Sequence, residues 1–463
     1  MRFVVAFVAA AMTVAPGIAR ADDADLIPKG VLGETPAPTV PPPPSQLRWK
    51  LFLEDAFTVS AYDDVVVSYP PAQASERQNR TSFDAHLEWK PVAALSFTLS
   101  DRLNLAFQDQ QSFFSRDTVR NDFREGYLTW EPRANLYLEA GRIDVRDGAA
   151  LGYNPTDFFK TRTLVGQASL DPSVIRQNRL GTVMLRGQTI WSGGSASIAV
   201  APKLASPAPV LDDDPMGLDP HLGATNGATR VLGTVSFDAF DLSPQLLAYF
   251  EDGRSKVGVN LTRPIGDAVV VYAEWAGGPE KNLIARAFEL GRQTGTLPDG
   301  APLLPPTSAA TAFRNDVAGG FSWSIASKVT LNAEYHFHQA GLSADDWKNW
   351  FDLGGGPGAS GALTGELWYL RAYANDQQEP LTQHQAFVRA SWPRAFVPEL
   401  ELTAFAFVDL VDGSVLSQVS ANEYLSNRWT ASVYLSSNLG PARSERGSFP
   451  QRVSSIFQLT LYL

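Results

Sequence analysis

Three groups of residues in this chain have types and spacings that could do chemistry. Ser82, Asp84 and His86 alternate along one side of a strand pattern and make up the residue set of a hydrolase triad. Side chains two apart on one strand stand roughly 6–7 Å apart, too far for a relay of hydrogen bonds, so catalysis is not expected there. His336 and His338 share a strand face and could form half of a metal site, but no third ligand is evident, so no metal is assigned. The third group is a run of fixed charge: Arg142, Asp144, Arg146, Asp147, Asp157, Lys160, Arg162, Arg179 and Arg186. From Arg116 to Arg186 there are 11 Lys or Arg and 9 Asp or Glu, a net +2 within a chain whose net charge is −11. Facing charges of both signs create a transverse field, which is the chemistry of ion selection rather than of bond making.

Inside that run, Asn154-Pro155-Thr156-Asp157 reads as a turn with local side-chain capping, and Phe158-Phe159 as its apolar anchor. Asn154, Pro155, Phe158 and Phe159 are therefore the candidate anchor of a loop whose nine charged residues line a constriction. The competing expectation is a charged loop that packs on a wall or mouth without narrowing a pore. Asp212, Asp213, Asp214 and Asp219 have no calcium-loop spacing and read as solvated acid. No Gly-rich nucleotide loop, HExxH or nucleophile elbow occurs, so no cofactor and no enzymatic activity are expected.

The elements that must position these residues show a period of two. Thr81, Phe83, Ala85, Leu87 and Trp89 oppose Arg80, Ser82, Asp84, His86, Glu88 and Lys90. Six polar residues on one face are too many for a dry core, and the other face is too apolar for open water. The same half-wet pattern recurs to the last strand, where Val453, Phe457, Leu459, Leu461 and Leu463 share a side. Ahead of it, Arg2, the apolar run Phe3 to Val14 and Ala19-Arg20-Ala21 read as a secretory signal over 1–21. Residues 22–46, with Pro41 to Pro44, read as a stiff proline-rich periplasmic extension. Residues 47–463 read as one domain: an all-β, antiparallel, up-and-down transmembrane β-barrel of the outer membrane, wet inside and lipid-covered outside.

Eighteen strand segments can be counted, with sixteen the next even number. The segment 363–373 is ambiguous between strand and loop helix, and parity favours the loop; a short helix is also expected near Glu280 to Leu290. Long connections at 61–79, 108–121, 143–178, 201–229, 277–312 and 339–381 then fall at one end. Short turns at 90–93, 131–133, 187–189, 263–266 and 325–328 fall at the other. That is the asymmetry of bacterial barrels with short periplasmic turns and long extracellular loops. Tryptophans Trp49, Trp89, Trp130, Trp191, Trp275, Trp323 and Trp392 stand near strand ends, as interfacial indoles do. The chain has no cysteine, which a closed barrel does not need. Losing Arg2 and Arg20 with the signal takes the net charge from −11 to −13, which excludes nucleic acid as a main partner.

The stretch 141–186 resembles the matching part of a poorly characterised group of proteobacterial outer-membrane porin-like barrels, related-looking to alginate-export-type barrels. In that group a strand ending in Gly-Arg precedes an Asn-Pro-Thr-Asp segment and a return strand that opens with Arg. Here those residues are Gly141, Arg142, Asn154, Pro155, Thr156, Asp157, Arg179 and Gly181, while the chain ends on Leu463 where such barrels usually end on Phe. The resemblance implies fold and location, with outer-membrane lipid, lipopolysaccharide and the barrel assembly machinery as partners. The function expected is passive diffusion of small polar or anionic solutes. The alternatives are an export conduit for an anionic polysaccharide and a structural or adhesive barrel plugged by its loops. A receptor with a plug domain is excluded, since only about 25 mature residues precede the first strand. Oligomeric state is left open.

Overall fold

The computed structural model describes residues 46–68, 75–109, 118–210, 216–239, 242–298, 310–325 and 328–463. The signal, most of the proline-rich stretch and Asp212 to Asp214 lie outside them. The strands are β1 (Gln46–Tyr62), β2 (Arg77–Val92), β3 (Leu95–Gln108), β4 (Thr118–Arg133), β5 (Leu136–Ile143), β6 (Thr182–Trp191) and β7 (Gly194–Ala201). A two-residue strand, β8 (Met216–Gly217), precedes β9 (Arg230–Phe237), β10 (Gln245–Glu251), β11 (Arg254–Ile265), β12 (Val269–Glu280) and β13 (Ala312–Ser324). The rest are β14 (Thr330–His338), β15 (His384–Trp392), β16 (Leu400–Asp409), β17 (Val415–Tyr424), β18 (Trp429–Leu439) and β19 (Gln451–Tyr462).

Each long strand pairs antiparallel with its neighbours in the chain, β7 passes directly to β9, and β19 returns to β1 from Phe52↔Tyr462 to Tyr62↔Gln451. The result is an 18-stranded closed antiparallel barrel, as the strand count predicted. The short β8 only adds a parallel rung on the end of β4, at Val119↔Met216 and Arg120↔Gly217.

Alternation explains why these residues form these strands. On β6, Met184 is 2% exposed and Leu185 is 65% exposed, so adjacent side chains face the two solvents of the wall. Phe83, Trp89, Leu99, Val419 and Phe457 lie outward, while Ser82, Asp84, Arg102, Asn104 and Gln418 lie inward and buried. Closure leaves no edge strand, which satisfies every ladder without water in a hydrocarbon layer. Trp49, Trp89, Trp130, Trp191, Trp323 and Trp392 fall at the end carrying the short turns, a girdle at one interface. Trp275 departs from it: it sits inside β12 and its indole N–H donates to Asn315 at 3.1 Å.

The six long connections all emerge at the opposite end, and the short turns stand at the end where strand parity put them, with two shifts along the chain: β4 runs through 131–133, so that turn lies at Ala134-Asn135. The turn expected at 187–189 lies at Ser192-Gly193, because β6 runs straight through Gly187. Gly193 takes φ 82°, the conformation a tight hairpin needs, whereas Gly187 is an ordinary rung opposite Leu138.

Among the described residues five helices lie in the long connections: α1 (Pro172–Gln177), α2 (Leu222–Thr225), α3 (Leu283–Gln293), α4 (Ala344–Gly354) and α5 (Gly361–Asp376). The ambiguous 363–373 is thus helical, and α3 covers the short helix expected nearby. Asn282 caps α3, Ser343 and Asp346 form a capping box on α4, and Ser360 caps α5. Phe288, Trp350, Phe351, Leu367 and Trp368 make a dry core among these three helices. This cap ties separate parts of the rim together. The Trp368 indole donates to the Ser68 carbonyl, that of Trp347 to Asp412, and Arg371 donates to Ser448.

Candidate functional site: a loop held across the barrel

Residues 144–181, between β5 and β6, do not stay at the rim. They enter the barrel and are held from the opposite wall. Glu274 on β12 accepts from the backbone N–H of Ala149 at 2.5 Å and of Ala150 at 2.6 Å, and from the Thr156 hydroxyl at 3.0 Å. Glu334 on β14 accepts from the N–H of Leu151 at 2.7 Å and of Gly152 at 2.9 Å, and from the Tyr272 hydroxyl. Two wall carboxylates therefore capture four consecutive amides of one loop, donors that would otherwise stand buried or half-buried without acceptors. Further round the wall, Arg389 on β15 pairs with Asp171 at 2.8 Å, and Gln418 on β17 accepts from the Leu170 N–H at 3.0 Å.

Glycine permits the close approach. A side chain at Gly152 would stand 2.7 Å from His336 and from the Phe387 ring. Gly148 has φ 82°, and a side chain there would stand 2.4 Å from Asn154 Oδ1 and 2.5 Å from the Glu274 carboxylate. The loop's remaining fold is local. The Asn154 amide donates to the Ala150 carbonyl at 2.9 Å, and Asp171 caps α1 through the Ser173 N–H. Phe158 stacks flat on Tyr249 with ring centres 4.6 Å apart, Phe159 meets the same ring edge-on, and Arg230 lies over Phe159 at 4.9 Å.

The nine candidate constriction residues do not share one setting. Arg179 is buried between two loop carboxylates, Asp144 at 2.6 Å and Asp157 at 2.8 Å, and those acids raise its affinity for its proton although burial alone would lower it. Asp147 is buried against Gln245, and desolvation, with the Asp157 charge, pushes its carboxyl up to about 6. Lys160 is buried over the Tyr153 ring at 4.1 Å, and desolvation brings its amine down to about 8. Arg162 works at the top of the loop: it pairs with Asp376 at 2.8 Å and donates to the Ala208 and Pro209 carbonyls, joining three long loops. Arg142 is buried too, reaching the Gly181 and Pro220 carbonyls, and Arg186 pairs with Glu139 on the neighbouring strand. Arg146, paired with Asp144 at 2.8 Å, is the exposed member of the nine. The structure brings most of these charges into one loop assembly, held by one another.

The other sequence candidates are accounted for by neighbours. The Ser82 hydroxyl donates to Asn104, Asp84 is held by Arg102 and Arg124, and His86 faces Glu88 at 3.2 Å, so the three make no relay. His336 meets Glu334 and His338 meets Asp316, each at 2.7 Å. Among the described residues no cluster of three or more His, Cys, Asp or Glu is arranged to hold a metal ion. Asp219 packs against His221 at 2.9 Å.

Neither a family model nor a curated protein matches the sequence. Solved structures do match in fold. Pseudomonas aeruginosa OpdK with vanillate is 12% identical, with 90% of this chain and 98% of that one covered, at a TM-score of 0.50. Pseudomonas aeruginosa OccK11 (OpdR) is 11% identical, covering 90% and 96%, also at 0.50. A BenF-like porin from Pseudomonas fluorescens Pf-5 is 10% identical, covering 90% and 98%, again at 0.50. The chain has the fold of an outer-membrane porin. That likeness extends over the whole barrel, and it is to these porins rather than to an alginate-export barrel in particular.

Proposed function

We propose that this protein is an outer-membrane channel for passive diffusion of small polar or anionic solutes, with residues 144–181 as its constriction. The observation that carries the reading is the loop itself, drawn inside a barrel whose outer wall is apolar and fastened to its far side by Glu274 and Glu334. A barrel serving only as a scaffold has no use for polar side chains along its whole inner wall, since unhydrated charge is costly and water relieves that cost. Continuous water is a path for ions, and fixed charge at its narrowest part sets their preference.

The helical cap gives a second reading its footing. Helices α3 to α5 are stapled across the loops of the same end, as they would be in a barrel that does not conduct. An export conduit for an anionic polysaccharide is the narrower alternative, and it would need a path for a polymer past both cap and loop.

Single-channel recording in a planar bilayer under a salt gradient tests this. Arg146 is the loop charge to change, because it is exposed and its replacement leaves the Arg179 pairs in place. Wild type should conduct with a mild anion preference, and Arg146→Glu should move the reversal potential toward cations. Absence of conductance from folded protein would establish the plugged barrel instead. Block of the current by an anionic oligosaccharide, relieved at high voltage, would favour the export conduit.

A further inference from the structure

We propose that the cavity between the first turns of α3 and α4, at the long-loop end, is a binding site for a single neutral sugar ring. It is enclosed by the start of α3, the first residues of β13 and the connection from β14 into α4. No residue of 144–181 lines it, so the site is separate from the constriction. The cavity holds about 220 Å³. That is roughly seven times the volume of one molecule in liquid water, and it falls below the range of drug-sized sites. It has room for one small ring and not for a chain.

Three side-chain amides on its wall are each half used. Asn282 is 8% exposed, and its Oδ1 caps α3 by accepting from the Ala285 N–H at 2.9 Å. Its Nδ2 donates to no partner among the described residues, and a buried donor in that state costs free energy until something accepts from it. Gln339 Oε1 accepts from the Asn315 backbone N–H at 2.8 Å and from its side-chain amide at 3.0 Å. Those bonds fix the amide and leave the Gln339 Nε2 without an acceptor among the described residues. Gln383 Nε2 reaches the Gln339 carbonyl at 3.4 Å, while Gln383 Oε1 accepts from no described donor. The cavity thus presents two donors and one acceptor. Its two charged residues, Arg314 and Asp346, are opposite in sign. Arg314 donates to the Glu280 and Gln339 carbonyls, and Asp346 accepts from the Ser343 N–H and hydroxyl. A phosphate or carboxylate needs donors throughout and would face Asp346 and the Gln383 oxygen. A hydroxyl both donates and accepts, so a ring bearing several can meet all three amides at once. Ile284, Ala340 and Leu342 add an apolar side on which the C–H face of a sugar can lie. Such a ring is available from two sources, a solute in the medium or a saccharide of the surrounding outer leaflet.

Glucose, galactose and mannose are the probes, titrated against full-length protein folded in detergent and followed by saturation-transfer difference NMR. At least one should bind saturably. Asn282→Asp keeps the oxygen that caps α3 and loses the donor; Gln339→Glu keeps the oxygen that holds Asn315 and loses the donor. Each should weaken binding by about tenfold. Heat-modifiable migration verifies that each variant is folded, and the two guard against failure of either. Equal sugar binding by wild type and either folded variant would overturn the site, as would no saturable binding of all three sugars by wild type. Saturable binding of inorganic phosphate without any sugar would replace the sugar with an anion and overturn the proposal. Lipopolysaccharide with its complete saccharide, but not lipid A alone, should displace the bound sugar if the outer leaflet is the source. A bound sugar that neither displaces upholds the site and makes the ligand a solute. None of these readouts uses conductance, so failure of the channel reading and failure of this site are told apart.

Discussion

On the β2–β4 wall, arginines and carboxylates neutralise one another side chain to side chain, whereas on the β12–β14 wall Glu274 and Glu334 turn their charge on the backbone of a distant segment. Both walls present polar groups to the barrel interior, yet they do different work. The first is a closed network built on β2 to β4 with Glu54 of β1, four adjacent strands, and it makes that part of the wall rigid. The second has His336 beside Glu334 but, among the described residues, no lysine or arginine paired with either acid, and it is completed only when residues 149–152 arrive. The contrast shows how a barrel of one regular architecture can hold a firm wall and a docked, separable element side by side. Substituting the first kind of group should damage folding, and substituting the second kind should alter the pore.

The largest effect is expected in the matched network. Arg102→Met leaves Glu54 and Asp84 without their shared partner, and stranding buried charge costs about 3–5 kcal/mol. The folded fraction, read as heat-modifiable migration after refolding, should fall sharply. A normal yield would mean that water, not Arg102, holds those acids. Next comes the loop latch. Glu274→Ala strips acceptors from Ala149, Ala150 and Thr156, each worth about 1–3 kcal/mol when left unmade in a buried setting. The barrel should still fold, because the ladder of β12 is untouched, but conductance should rise severalfold and protease should cut within 144–181. Unchanged conductance would place the narrowest point elsewhere, under the cap.

A smaller effect is expected from pH. The folded value of Asp147, about 6, stands above the ordinary aspartate value of about 4. Its contribution to docking is therefore fully present below pH 4 and is lost as the pH rises through 6. From pH 7 to pH 5 the loop also sheds one negative charge, so selectivity should shift modestly toward anions. Asp147→Asn should shift less across that window; an identical shift in the variant would assign the titration to another group. The smallest change expected inside the barrel is from Arg186→Gln, which parts a half-buried pair with Glu139 and should alter stability by about 1 kcal/mol or less in a urea titration.

The barrel was legible because lipid outside and polar groups inside impose a period of two on every strand. Parity then converts loop lengths into ends. What misled was Gly187, a glycine within β6 that reads like a turn, whereas the hairpin glycine is Gly193, beyond Trp191. The charges of 142–186 were visible as a cluster, but their partners were not. Glu274 lies more than a hundred residues beyond Ala149, and Gln418 nearly two hundred and fifty beyond Leu170. An inward-facing carboxylate in an apolar run, such as Glu274 between Ala273 and Trp275, was the one signal available. It announces a buried acceptor without saying what it accepts from.

The seam between β1 and β19 has a consequence of a different kind. Phe52 faces Tyr462 and the terminal Leu463 N–H donates to the Leu51 carbonyl at 2.9 Å. The first strand to leave the ribosome is thus completed by the last, across some four hundred residues of intervening chain. Contacts so far apart in sequence cannot form during synthesis, and their loop-closure cost falls on the final step of assembly. Until then β1 offers an unpaired edge, an invitation to any other extended chain. Order in time is therefore built into the molecule: the chain must be kept from pairing with strangers until its own last strand is present, and removal of a few C-terminal residues should trap it open rather than merely weaken it.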